Sequence, residues 1–240
     1  VIEAADGQSG LKLAVESVPD IVVSDVMMPV MDGLTFCTRL KQHEATSHIP
    51  VLLLTARSSE QQYIEGLQTG ADMYMTKPFS AELLLANIAS LLANRQKLRQ
   101  LFKTQNSSSE LPTILALASG KSRAQHSTSI SPDRRFLDTF LKAMDKHMSN
   151  TNLKIEVIGD EIGLSRVQLY RKVKALTGMT PIEILRETRL KRAMQLLKTT
   201  DKTVSEIANE VGFATPGYFS SCFKKQYDKY PTDVREEMKV

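Results

Sequence analysis

With 240 residues, 42% apolar and 24% charged, the chain is long enough for two ordinary domains. Its net charge of +4 is unevenly spread, acids outnumbering bases in the front and the reverse in the back, a balance that allows nucleic-acid contact without requiring it. No run approaches the roughly 20 apolar residues of a membrane helix and no signal peptide opens the sequence, so a cytoplasmic chain is expected; Cys37 and Cys222, in different halves and without metal-ligand spacing, suit a reducing compartment.

In chain order, a helix fits Gly10 to Ser17, with Leu11, Ala14 and Val15 inward and Pro19-Asp20 as its stop. Residues 21–33, Ile-Val-Val-Ser-Asp-Val-Met-Met-Pro-Val-Met-Asp-Gly, then deliver Asp25 at the end of an apolar, β-branched run that breaks at Pro29. Such a run reads as a buried strand of a parallel sheet, and the carboxyl ends of those strands are where open α/β sheets place their chemistry. A helix from Gly33 to His43 buries Leu34, Phe36, Cys37 and Leu40. Two further strands follow, Val51 to Thr55 and Met73 to Lys77, with a helix from Ser59 to Thr69 between them, Ile64 and Leu67 inward. Alternation of strand and helix makes the front an α/β layer structure. An acid, a hydroxyl and an amine, Asp25, Thr55 and Lys77, converge on one rim.

Residues 80–102 carry Leu84, Ile88, Leu91, Leu92, Leu98 and Leu101 at helical spacing. The first half of this helix is expected to pack on the sheet, and the second to run on and offer a pairing face to a second copy. Residues 103–132, with Asn106-Ser-Ser-Ser and Ser119-Gly-Lys-Ser, read as a linker holding a small apolar island from Leu111 to Leu117. The chain thus divides into 1–102, 103–132 and 133–240. The back opens at Ser131-Pro-Asp with an amphipathic helix burying Phe136, Leu137, Phe140, Leu141, Met144 and Met148. Beyond it lies a repeat: Ile158-Gly-Asp-Glu-Ile-Gly-Leu-Ser returns as Ile207-Ala-Asn-Glu-Val-Gly-Phe-Ala. After the turns Leu169 answers to Phe219, Val173 to Phe223 and Pro181 to Pro231. Each copy reads as a helix, a tight turn at Gly163 or Gly212, and a second helix; the back is all-α, a helix-turn-helix twice.

Asp25, Thr55 and Lys77 in this order, with Met-Met-Pro-Val-Met-Asp-Gly and Thr-Lys-Pro-Phe around them, resemble a response-regulator receiver domain over residues 1 to about 93. The resemblance implies a flavodoxin-like fold in which Asp25 accepts a phosphoryl group, Thr55 follows that group and Lys77 pairs with it. A carboxylate can form an acyl phosphate, a hydroxyl can bond its oxygens and a cation offsets their charge. By the same resemblance Tyr74 is the aromatic rotamer switch, the alternative being a tyrosine that fills a half-buried strand position. Lys77-Pro78 is the family's cis peptide. Val1-Ile-Glu-Ala-Ala-Asp-Gly resembles the second receiver strand, which implies that the first strand lies outside this chain. That strand normally ends in the acidic pair that holds Mg²⁺. The expected ligands here reduce to Asp25 and the backbone carbonyl of Met27, Glu3 and Asp6 being on the wrong strand and turn. A piece of a longer protein is therefore expected; the competing reading is a receiver that has lost its chemistry and serves in dimerisation.

The two helix-turn-helix units joined by Pro181 to Lys198, with Ile-Ala-Asn-Glu-Val-Gly-Phe and Tyr-Phe-Ser-Ser-Cys-Phe-Lys-Lys, resemble the AraC-type DNA-binding domain over residues 136–236. In that family both second helices enter successive major-groove segments, roughly 34 Å apart. With Leu169, Val173 and Leu176 inward, Arg166, Gln168, Arg171, Lys172 and Lys174 turn toward DNA. With Phe219, Cys222 and Phe223 inward, Ser220, Ser221, Lys224 and Lys225 do so on the other helix. Arg suits guanine's edge and Gln adenine's, while lysines grip phosphates. Ser221 stands where many relatives carry Arg, and Asp228 where Gly178 predicts glycine. Together the resemblances imply a phosphorylation-controlled transcription regulator whose partners are double-stranded DNA, a histidine kinase in cis or in trans, and a second copy. The module order resembles the cytoplasmic end of hybrid two-component proteins of the inner membrane; a freestanding response regulator is the alternative. A dehalogenase-type phosphatase, which wants a second acid two residues beyond its strand-end Asp, is set aside because position 27 is Met.

Overall fold

The computed structural model describes residues 1–56, 69–105 and 132–237, with side chains described to residue 97 in the second of these stretches. They divide into two compact units: Val1–Leu137 with Val167–Gly178, and Asp138–Arg166 with Met179–Val240.

The first unit is built on three parallel strands, β1 (Val22–Asp25), β2 (Val51–Thr55) and β3 (Met73–Thr76), in the order β1-β2-β3. The middle strand begins Val51-Leu52-Leu53, all fully buried, as an aliphatic run covered on both faces should be. Helix α1 (Gly7–Ser17) starts three residues earlier than its apolar pattern predicts. The Asp6 side chain caps it, accepting from the N–H groups of Gln8 at 2.7 Å and Ser9 at 2.9 Å. Residues 1–4, expected to be a strand, carry no ladder pairing among the described residues; a strand is held by its neighbour's N–H and C=O groups, and no described strand lies beside this segment. Helix α2 (Gly33–Gln42) is capped by Asp32. It packs Phe36, Cys37 and Leu40 into a core shared with Ala14, Val18, Met31, Ile49, Val51 and Leu53. Helix α3 (Ala81–Gln105) is continuous over 25 residues, with Leu91 buried and Leu84, Ile88 and Leu92 half-buried along one stripe. The helix expected over Ser59 to Thr69, the apolar island and most of the linker lie outside the described residues, as do the side chains of Leu98 and Leu101.

Seven helices follow: α4 (Pro132–His147), α5 (Ile155–Glu161), α6 (Arg166–Thr177), α7 (Pro181–Thr199), α8 (Val204–Glu210), α9 (Pro216–Tyr227) and α10 (Pro231–Glu237). Residues 167–177 of α6 belong to the first unit. The core of the second unit gathers Leu190, Ala193, Leu196 and Leu197 of α7 with Ile207, Ala208, Val211, Phe213, Phe219, Phe223 and Val234. Phe219 stacks edge-on to Phe213 at 5.2 Å and against Phe223 at 5.6 Å between centroids, geometry that adds to the area these rings bury. Capping boxes at Thr180/Glu183 and Thr203/Glu206 start α7 and α8.

The sequence repeat is a repeat of backbone geometry. Leu164 N–H donates to Gly159 O at 2.9 Å, and Phe213 N–H to Ala208 O at 2.9 Å. The intervening Gly163 and Gly212 take φ of 73° and 89°, a left-handed conformation that glycine adopts without a Cβ clash. The later turns match as well. Asp228 adopts φ 56° where Gly178 has 74°, and its N–H reaches Lys224 O at 2.8 Å as Gly178 N–H reaches Lys174 O at 2.9 Å. The aspartate keeps the turn at the energetic penalty of a left-handed non-glycine residue.

Candidate functional sites

The rim at the carboxyl ends of the strands is set by register. Asp25 pairs with Leu54 and Leu54 with Met75, so Thr55 and Thr76 lie one row further on, and Lys77 N–H continues the ladder to Thr55 O at 2.7 Å. Asp25 and Lys77 form an ion pair across the rim. Met27 N–H donates to Asp25 Oδ1 at 3.1 Å. Partial burial pushes the Asp25 carboxyl up, but the hydrogen bond and charge of Lys77, with the Met27 and Val26 N–H groups, outweigh it and hold the carboxyl below its ordinary range. A carboxylate that stays ionised beside a cation on an open rim is a competent oxygen nucleophile. Gly33 allows this corner to close: its N–H donates to Val26 O at 2.9 Å, and a Cβ there would lie 2.1 Å from Asp25 O. The Lys77-Pro78 peptide is cis.

Tyr74 is half-buried, packs against the core and shares a hydrogen bond of 3.0 Å with Thr69 Oγ1. For Mg²⁺, the described residues contain no group of three His, Cys, Asp or Glu side chains able to hold a metal. Asp25 and the Met27 carbonyl do not by themselves make the roughly octahedral oxygen shell that Mg²⁺ requires.

On α6 the buried positions are Leu169, Lys172, Val173 and Thr177. Arg166, Arg171 and Lys174 are exposed and Gln168 is half-buried. Arg166 pairs with Glu156 at 3.1 Å. Lys172, expected on the outward side, is a correction: its side chain is 0% exposed. A helix places positions 168 and 172 one above the other, and this edge meets polar groups of the first unit instead of solvent. Lys172 Nζ donates to Glu44 O and, at 3.0 Å, to Ser47 Oγ; it lies 3.5 Å from Glu44 Oε1 and 3.6 Å from Asp133 Oδ1, and 4.3 Å from the centre of the Phe136 ring. Gln168 Nε2 donates to Val15 O at 3.0 Å and Arg171 Nη1 to Val18 O at 3.5 Å. On α9 the outward positions are Ser221, Lys224 and Lys225, with Ser220 half-buried; Ser221 Oγ donates to Gly217 O at 3.1 Å, and Lys224 Nζ lies 4.2 Å over the Tyr230 ring. Sequence reasoning did not single out Glu44 or Ser47, which belong to no motif, and read Asp133 only as part of the Ser131-Pro-Asp helix start. It also passed over Tyr218, 58% exposed at the start of α9, which a helical-wheel count from Phe219 and Phe223 could have found.

Two families match this chain, the response regulator receiver domain over residues 1–89 and the helix-turn-helix domain over residues 158–237. The front of the chain is thus similar to response regulator receiver domains and the back to helix-turn-helix domains. Among curated proteins it is 38% identical over 235 residues to the histidine kinase P4 of Formosa agariphila, covering 98% of this chain and 16% of that protein. It is 45% identical over 103 residues to the DNA-binding dual master transcriptional regulator RpaA of Synechocystis, covering 43% of each. The chain thus spans less than half the length of these relatives. Among solved structures, the C-terminal domain of AraT, a response regulator from Geobacillus stearothermophilus, is 32% identical with a TM-score of 0.39, over 41% of this chain and 84% of that one. No helix among the described residues is long and apolar enough to cross a membrane.

Proposed function

We propose that this chain is the output end of a two-component signalling protein, a phosphorylation-regulated transcription regulator that binds double-stranded DNA in the cytoplasm. The observation that carries it is the Asp25–Lys77 ion pair on a rim shared with Thr55, in the same chain as a twice-repeated helix-turn-helix backbone. A phosphohistidine of a kinase gives its phosphoryl group to an Asp25 oxygen: the P–N bond breaks and an O–P acyl phosphate bond forms. Lys77 offsets the added charge and the Thr55 hydroxyl bonds the new oxygens, with Tyr74 moving in step as the rim rearranges. Were Mg²⁺ to bind at this rim, Asp25 and the Met27 carbonyl would be the residues to hold it, and the ion would offset charge on the transferred phosphoryl group. On the DNA side Arg166, Arg171, Lys174, Lys224 and Lys225 supply the cations, and Gln168, Ser220 and Ser221 further donors. A second copy on a repeated site completes the assembly, with α3 as its pairing helix. The similarity to a histidine kinase across both domains supports a hybrid protein with the kinase in cis.

Fluorescence anisotropy of the chain on the DNA upstream of its neighbouring genes, against a scrambled duplex and over a salt series, tests the DNA reading. The expected result is tight, steeply salt-dependent binding to one sequence, weakened by about tenfold or more in Arg171→Ala. Equal weak binding to both duplexes, unchanged by Arg171→Ala, sinks it.

A further inference from the structure

The two helix-turn-helix copies align residue by residue, so each position on α9 has a counterpart on α6, and Tyr218 answers to Gln168 as Phe219 answers to Leu169. A helix-turn-helix reads bases chiefly with the N-terminal residues of its second helix. On α9 the exposed positions of that stretch are Pro216, Gly217, Tyr218 and Ser221. Three of them offer little to a base edge. Pro216 has no backbone N–H, and Gly217 has no side chain; a Cβ there would meet nothing within 4 Å. The Ser221 hydroxyl is turned back on the helix, donating to Gly217 O at 3.1 Å. Further along, Lys224 Nζ is drawn to Tyr230, 3.1 Å from its hydroxyl and 4.2 Å from its ring centre. Tyr218 is different: it is 58% exposed, and its N–H is held by Thr215 Oγ1 at 3.4 Å. Its ring lies 6.0 Å from that of Phe213, a separation at which aromatic pairs attract, so the phenol is steadied from the inner side while the rest of it faces solvent.

We propose that Tyr218 is the specificity-determining residue of the second helix-turn-helix, and that its ring packs on the 5-methyl group of a thymine in the major groove. Of the groups that base pairs present in that groove, the thymine methyl is the apolar one, and an aromatic ring is matched to it. Gly217 and Ser221 add no bulk beside Tyr218, so the helix can approach until the ring touches the base edge. Lys225 is exposed on the same face, at the spacing of three and four that joins Tyr218, Ser221 and Lys225, and takes a phosphate. The two copies then read different chemistry, the first by hydrogen bonds from Gln168 and Arg171 and the second by apolar contact. This rests on the reading of the chain as a DNA-binding regulator.

The full chain first selects its preferred duplex from a random pool of about 30 base pairs, long enough for two groove segments roughly 34 Å apart. Each thymine of the selected duplex is then replaced in turn by uracil, which removes the 5-methyl group and leaves every hydrogen-bonding group in place. Anisotropy measures the affinity of the parent chain, Tyr218→Phe and Tyr218→Ala for every duplex in the series, and a thermal melt checks that the variants fold. The expected result is that uracil at one or two adjacent positions weakens the parent chain about fourfold, the factor that one buried methyl supplies. That loss persists in Tyr218→Phe and vanishes in Tyr218→Ala. A selected duplex on which uracil has no effect at any position, or on which its effect is unchanged in Tyr218→Ala, overturns the proposal alone. Loss of the uracil effect in Tyr218→Phe as well shows that the hydroxyl and not the ring is what matters, and overturns it too. A pool from which no sequence is enriched overturns the DNA-binding reading, and the proposal with it.

Discussion

The two helix-turn-helix copies share their turns almost bond for bond and differ in what surrounds them. In the first copy, the turn glycine Gly163 has nothing within 4 Å of where a Cβ would be, and α6 turns Lys172 into a ring of oxygens. In the second, a Cβ on Gly212 would lie 2.3 Å from Met148 O, and α9 leaves Lys224 and Lys225 in solvent while four aromatic rings fill its inner side. The lesson is that a motif sets a local backbone, whereas the neighbours it packs against set its stability and the side chains it has available.

The largest effect expected from breaking this comparison is in the second core. Phe223→Ala removes a fully buried ring that touches Phe219 and Tyr227 and should cost about 3–5 kcal/mol, against roughly 1–3 kcal/mol for Val173→Ala at the equivalent place in α6. Urea unfolding of both variants measures the gap, and equal losses would mean that the copies are packed alike. Next come the turn glycines. Both have positive φ, so alanine is strained at either, but only Gly212→Ala also drives a Cβ into a carbonyl. A loss of about 1 kcal/mol is expected for Gly163→Ala and more than about 2 kcal/mol for Gly212→Ala. Asp228→Gly should instead stabilise by about 0.5–1 kcal/mol, by relieving the left-handed aspartate; a loss of stability would show that the Asp228 side chain contributes more than the strain removes.

The smallest effect is in pH. Hydrogen bonds from Lys146 and His147, at 2.9 and 2.8 Å, hold the exposed Glu161 below the ordinary glutamate range. Because the folded value is depressed, this carboxylate's contribution is present above the unfolded value and fades as pH falls through the folded one. Glu161→Gln should flatten the acid limb of the second unit's stability slightly, as read by melting temperature over a pH series. A steeper acid limb would contradict it.

Much of this was legible from residue order. The Asp25, Val51 and Met73 strands, the helix at Gly33 and the helix-turn-helix repeat announce themselves because periodicity and turn glycines are local signals. The start of α1 was less so, since one aspartate cap extended the helix beyond its apolar pattern. The outward reading of Lys172 failed for a different reason. Helical spacing places it beside Val173 on the border of the buried face, and which way a border residue goes depends on groups more than 30 residues away in the chain, Asp133 and Glu44.

The strand ends that carry Asp25, Thr55 and Lys77 and the doubled helix-turn-helix were legible in the sequence alone, because each rests on residue types in a local pattern. The tertiary structure alone decided that Asp25 and Lys77 meet as an ion pair and that Asp228 can hold a glycine's turn. It also decided that Lys172 is enclosed by oxygens while Lys224 and Lys225 are not. Those outcomes depend on long-range packing, where burial removes water from one cation and leaves it on another, and no local pattern encodes that choice.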